Sequence, residues 1–245
     1  LNLQHIDLLV FGPHPDDIEI GFGGSVAAHA AGGFAVGLCD LTRGEMGTNG
    51  TPEERVAEAE EAARILGAAW RVNLGLPDRE LRGDPTQVRA VTDLIRAARP
   101  RVIAAPYWED RHPDHGAASR LVTDAAFNAG LRRYGASHAP WRPSRVCYYF
   151  INDSVPPSFV LDVSAHYDTK RRALASYRSQ FAPSGTEAVE TRLTSPLFLQ
   201  LLESRDGHFG ALAGVRFAEG VVVKAPVVVR DLFDGARPPR GGDGS

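Results

Sequence analysis

At 245 residues the chain is long enough for one α/β domain to bury a large core without disulfide help. Its formal charge of −3, with no long basic run, argues against a nucleic-acid partner. No apolar stretch approaches the roughly 20 residues that span a bilayer, so no membrane partner is expected. Cys39 and Cys147 each lie inside an apolar run, VGLCDL and VCYYFI, and read as buried thiols of a reducing, cytoplasmic setting.

The elements follow in chain order. Ile6 to Phe11 is a short apolar run ended by Gly12, the pattern of a buried strand. Gly24 to Ala31 is alanine-rich and reads as a helix, with Ser25 as N-cap and Gly32-Gly33 as its stop. Phe34 to Leu41 is a second strand. Pro52 to Leu66 is a helix with Thr51 at the N-cap, Pro52 at the first helical position, acidic residues in the first turn and Gly67 after its end. Trp70 to Leu74 is a third strand, Pro85 to Ala98 a helix, Val102 to Ala105 a fourth strand and Gly116 to Gly130 a helix. Val146 to Ile151 and Phe159 to Val163 are further strands. Ser164 to Gln180 and Ser195 to Ser204 read as helices, with late strands at Val215 to Val223 and Val227 to Leu232. Alternating strands and helices predict one α/β domain: a mostly parallel, Rossmann-like sheet with helices on both faces. Residues 1–234 form that domain and 235–245 a disordered, Pro-, Arg- and Gly-rich tail.

In open α/β sheets, ligands bind beyond the carboxyl ends of the strands. Two polar clusters fall there: HPDDIEIG (His14 to Gly21) after the first strand, and EDRHPDHG (Glu109 to Gly116) after the fourth. Either cluster alone is more often a solvated turn, because Pro and Asp favour turns. Two at the ends of buried strands make a metal site the better reading. Zinc hydrolases use three His, Asp or Glu ligands and leave a position for water. His14, Asp17 and His115 could supply them, with Asp16 left as general base and His112 as proton donor. A two-metal phosphoesterase would need more carboxylates, including a bridging one. A dinucleotide site is disfavoured, since Gly21 and Gly23 would require Gly or Ala where Val26 stands; these glycines read as a tight turn beneath the metal.

HPDD after the first strand with HPDH downstream resembles the LmbE-like (PIG-L) zinc deacetylases. The chain reads HPDDIE where the family pattern is HPDDE. The stretches CDLTRGEMGTNGTPEERVAEAEEAARILG, LPDRELRGD, APYWEDRHPDHGAASRLV, YYFIND and SYRSQF resemble one branch, the bacillithiol-pathway deacetylases that act on N-acetylglucosaminyl-malate. The resemblance runs from Ile6 to Phe233. It implies a zinc-dependent hydrolase of a small N-acetylated sugar, with divalent iron or another metal able to take the same ligands, and a homo-oligomer. Another N-acetylglucosamine derivative or an N-acetylated conjugate is the alternative substrate.

The resemblance also implies roles: His14, Asp17 and His115 as zinc ligands, Asp16 as base, His112 at the tetrahedral intermediate, and Asp114 as its orienting partner. Asp114 read from the sequence alone could instead cap a helix beginning near Gly116. Arg55 and Arg111 match arginines that face the substrate, which suits a malate glycoside because arginine binds carboxylates bidentately. Against that, Arg55 could be an exposed helix residue paired with Glu58. Glu45, Asn49 and Asp78 fall on loops at the same rim, where sugar hydroxyls or plain turns are equally served. His208, in RDGHFG, is a candidate for a C-terminal group near the metal.

Overall fold

A computed structural model describes residues 3–184, 186 and 188–229. The chain runs β1 (Leu8–Gly12), α1 (Asp17–Ala31), β2 (Val36–Thr42), α2 (Pro52–Leu66), β3 (Trp70–Leu76), α3 (Pro85–Ala98), β4 (Val102–Pro106) and α4 (Pro113–Ala129). It continues with β5 (Arg145–Tyr149), β6 (Phe159–Asp162), α5 (Tyr167–Leu174), α6 (Arg178–Phe181), α7 (Pro196–Ala213) and β7 (Ala218–Val222). The strands form one seven-stranded sheet in the order β3-β2-β1-β4-β5-β7-β6. From β3 to β5 the pairings are parallel; β7 joins β5 and β6 antiparallel. The central strand β1 is buried along its whole length, as a strand covered on both faces must be. One apolar layer packs α3 and α4 on the sheet and the other packs α1, α2 and α5. This is the predicted single α/β domain.

Local chemistry sets most helix ends where the sequence places them. Thr51 Oγ1 accepts from the Glu54 amide at 3.2 Å while the Glu54 carboxylate accepts from the Thr51 amide at 2.8 Å, a reciprocal cap on α2. Asp84 caps α3 through the amides of Thr86 and Gln87. Cys39 and Cys147 are free and buried.

Other expectations need correction. α1 begins at Asp17, not Gly24, so Gly21, Gly23 and Gly24 lie inside a helix and make no turn. They let that helix press onto its neighbours: a Cβ on Gly21 would collide with the Phe150 carbonyl and the Tyr149 ring, and one on Gly24 would lie 2.8 Å from Val163 Cβ. α4 begins at Pro113 with His112 as its N-cap, rather than near Gly116. The helix expected over Ser164 to Gln180 is a 3-10 turn (Ser164–His166) followed by α5 and α6. It breaks where Tyr177, fully buried, turns its ring into the layer under α1 and α2. α7 runs past Ser204 to Ala213 because Asp206 is buried by ion pairs instead of turning the chain, and Gly214 at φ 69° ends the helix. Residues 227–229 are not strand, and the remainder of that expected strand and the tail from 235 lie outside the described residues.

Candidate active site

The parallel strands send their connections to one edge of the sheet, and the loops after β1 and β4 face each other there. After β1 the chain turns through Pro13 to Pro15, and Asp16 at the N-cap of α1 adopts φ 108°. That backbone costs a non-glycine residue on the order of 1–3 kcal/mol and persists only where its surroundings enforce it. Arg55 enforces it. Its guanidinium donates to the Pro15 carbonyl at 2.6 Å, the Gly44 carbonyl at 3.1 Å and the Asp16 carboxylate at 3.2 Å. Arg55 is 4% exposed, and Glu58 binds Ser179, so the alternative of an exposed Arg55–Glu58 pair does not hold.

Opposite, His112 Nδ1 accepts the Asp114 amide at 3.3 Å, and Pro113 opens α4. The first turn then places His112, Asp114 and His115 side by side. The Asp114 carboxylate does not bond the His112 ring. It lies 3.3 Å from His14 Nε2 and accepts from the Arg79 amide at 3.0 Å and guanidinium at 3.4 Å.

Asp17 links the two loops. Its carboxylate is 3.0 Å from His14 Nδ1 and 3.3 Å from His115 Nε2. The outer ring nitrogens also meet carboxylates: His14 Nε2 is 3.0 Å from Asp78, and His115 Nδ1 is 2.9 Å from Asp110. Ring nitrogens of His14, His112 and His115 come within 4.8 Å of one another, as do ligand atoms of His14, Asp78 and Asp114. The second grouping is the poorer metal cage, because Asp114 is already engaged by Arg79 and both carboxylates fit as acceptors for an imidazole N–H.

Electrostatics agree with a cation at Asp17. Burial favours neutral imidazoles, yet the carboxylates of Asp114, Asp17 and Asp78 hold His14 well above its ordinary range. Against the same burial, Asp17 and Asp110 raise His115 to about 9. Burial opposes ionisation of Asp17, but His115 and His14 hold its carboxyl well below the usual range. To ligate a metal, His14 and His115 must give up the protons held at these raised values, so metal binding here should release protons. Imidazole nitrogens and a carboxylate oxygen are the donor set of a hydrolytic zinc, so His14, Asp17 and His115 fit one. Burial, opposed by Arg55 and aided by the Asp17 charge, pushes the Asp16 carboxyl up to about 7. Burial and the neighbouring His115 and His14 lower His112, favouring its neutral ring.

These residues line a cleft of about 460 Å³. A larger groove of about 850 Å³ beside Leu131 to Tyr134 bears no acid, imidazole or thiol and suits no such chemistry. Arg111 reaches the cleft with its amide held by Asp153. Glu45 does not reach it; its carboxylate accepts from the Asp78 amide at 2.8 Å and so braces that loop. Asn49 faces away and makes two bonds to the Val189 backbone. His208 is exposed on α7, its ring against Phe209, outside the cleft. Arg79, Asn152, Gln180 and Arg192 line the cleft without having been singled out. Asn152 follows β5 in YYFIND, where a strand's carboxyl end was a usable signal; Arg192 offered none.

A family model described as GlcNAc-PI de-N-acetylase, PIG-L, matches residues 9–126, which contain His14, Asp16, Asp17, Asp78, Asp110, His112, Asp114 and His115. The crystal structure of the conserved protein TT1542 from Thermus thermophilus is similar over 91% of this chain and 97% of its own, at 43% identity and a TM-score of 0.84. The diacetylchitobiose deacetylase of Thermococcus kodakarensis is 29% identical over 87% of this chain and 81% of its own. A probable N-acetyl-alpha-D-glucosaminyl L-malate deacetylase 2 of Bacillus anthracis is 28% identical over 76% of this chain and 85% of its own. With that match over both polar loops and likeness along most of its length, the chain belongs to the PIG-L (LmbE-like) deacetylase family.

Proposed function

We propose that the protein is a zinc-dependent hydrolase that removes acetate from an N-acetylglucosamine unit, with N-acetylglucosaminyl-malate as its substrate. The observation that carries the reading is that His14 and His115 approach the two oxygens of the Asp17 carboxylate, at 3.0 and 3.3 Å, with Asp16 and His112 beside them in the cleft. Bound by His14, Asp17 and His115, zinc would supply Lewis acidity toward the amide carbonyl and lower the pKa of a water.

The chain's own groups do the rest. Asp16 takes the proton of the attacking water; a carboxyl near 7 suits a base working at neutral pH. Arg55 keeps that carboxylate aimed and its backbone in place. His112 accepts a backbone N–H at Nδ1, so its neutral ring carries the proton on Nε2 and donates it to the oxygen where charge develops. The proton gathered by Asp16 passes to the sugar nitrogen as the C–N bond breaks, leaving free amine and acetate.

The acidic aglycone is supported by Arg79, Arg111 and Arg192 along the cleft. Arg55 also lines the cleft but is engaged with Asp16, so these three carry most of the carboxylate-binding task. A second reading, a neutral disaccharide, is favoured by the likeness to the diacetylchitobiose deacetylase. Acetate release from N-acetylglucosaminyl-malate, diacetylchitobiose and free N-acetylglucosamine, by zinc-loaded and chelated protein, separates the two. Fast, chelator-sensitive release from the malate glycoside alone is expected. Preference for diacetylchitobiose would replace the acidic substrate with the neutral one.

A further inference from the structure

Asp110 stands outside the roles described so far, yet its carboxylate is one of the most heavily bonded in the molecule. Oδ1 accepts the His112 amide at 2.8 Å and the Asn152 side-chain N–H at 3.0 Å; Oδ2 accepts the Asn152 amide at 2.9 Å. The remaining approach to Oδ1 is taken by His115 Nδ1 at 2.9 Å. The Asp110 side chain is 3% exposed, as is that of His115. Because the other donors to this carboxylate are N–H groups that cannot accept, it can meet His115 Nδ1 only as a proton acceptor. Asn152 Nδ2 also lies 3.4 Å from His115 Nδ1, but it is closer to Asp110 Oδ1, at 3.0 Å, so the 2.9 Å approach of Nδ1 to Asp110 favours the proton on Nδ1, with Nε2 turned toward Asp17, 3.3 Å away.

We propose that Asp110, locked by Asn152, is a positioning residue for His115: it sets the tautomer and the ring plane so that Nε2 is offered to the metal. The inference rests on His115 being a metal ligand. A ligand imidazole whose outer N–H is bound by a carboxylate is more basic and pays less to orient, and loss of such a partner costs about 10–100-fold in metal affinity. Asn152 extends the arrangement to the rim, since its Oδ1 accepts from Arg192 at 3.3 Å. β5 and the loop after β4 thus share one hydrogen-bonded support for the metal ligand.

The test is zinc affinity by competition with a chelator, on wild type, Asp110→Asn, Asn152→Ala and His115→Ala, together with the visible spectrum of the cobalt-substituted proteins. Asp110→Asn keeps the shape and removes the charge. It should bind zinc about 10–100-fold more weakly and shift the cobalt bands; some loss of thermal stability in the metal-free protein accompanies it, because an amide cannot accept every N–H that the carboxylate does. Asn152→Ala should weaken zinc less, in the same direction, and decides the matter if Asp110→Asn does not fold. Zinc affinity within about twofold of wild type in the folded variants, with superimposable cobalt spectra, would overturn the positioning role. If His115→Ala binds zinc as tightly as wild type, the metal assignment falls and this inference with it.

Discussion

Two of the clusters of buried charge that grip α1 differ in kind. At its N-terminus, Asp16 and Asp17 meet His14, Asp78, Asp110, Asp114 and His115 at the floor of a cleft. Farther along, Glu219 accepts the amides of Gly24 and Ser25, and Arg205 donates to the Ile20 carbonyl at 2.9 Å. There Lys170 bonds both Asp206 and Glu219 at 2.7 Å, and Arg205 bonds Asp206 at 2.9 Å. The second cluster balances cations against carboxylates and is shut from solvent, with Lys170 and Asp206 at 0% exposure. The first has more carboxylates than cations and opens to a cleft. Burial and shifted titration are common to both, so neither property alone marks a catalytic site. What sets the first apart is that its excess of carboxylates lies beside open space.

Removing the cation that the first cluster calls for should have the largest effect. His14→Ala or His115→Ala should abolish both bound zinc and acetate release, measured by metal analysis and a coupled acetate assay, while Lys170→Met keeps its zinc if it folds. Next, Asp16→Ala should lose about 10²–10⁴-fold in kcat with zinc retained, the contribution typical of a general base; unchanged kcat would assign the base elsewhere. Lys170→Met strands the carboxylates of Asp206 and Glu219 and should lower unfolding free energy by about 3–5 kcal/mol, read from urea titration.

The second cluster also gives a pH signature. Burial alone would raise the Asp206 carboxyl, but Arg205 and Lys170 bring it below its ordinary value. Its stabilising contribution is full above the unfolded value, near 3.9, and is lost as pH falls through the lower folded value. Asp206→Asn should therefore lose stability at neutral pH and show a shallower decline in acid than wild type; parallel curves would count against the pairing. The smallest effect is expected at the rim: Arg192→Ala should raise KM for the malate glycoside about two- to fivefold, one lost exposed ion pair, with kcat little changed.

The candidate site was legible where its residues are contiguous. HPDD and HPDH bring the residues proposed as ligands, base and oxyanion partner within two short loops, and strand-end geometry carries both to one edge. The helix holding the first motif was not legible, because glycine at 21, 23 and 24 mimics a loop; only packing on Tyr149, Phe150 and Val163 explains it. Arg55 was read as facing substrate; it does line the cleft, but its bond to Asp16, a buried partner 39 positions away, left no local trace in the sequence. Asn49 lies on a loop, where no periodicity fixes a direction, and bonds the Val189 backbone; His208 lies on the exposed face of α7, outside the cleft.

The central claim is that the excess of carboxylates at His14, Asp17 and His115 exists to hold a catalytic metal. It is tested most directly by titrating metal-free protein with zinc while recording bound metal and acetate release together. Release should rise in step with occupancy and level off at about one equivalent per chain. Full activity in rigorously metal-free protein, or tight zinc uptake with no gain in acetate release from any N-acetylglucosamine derivative, would contradict it.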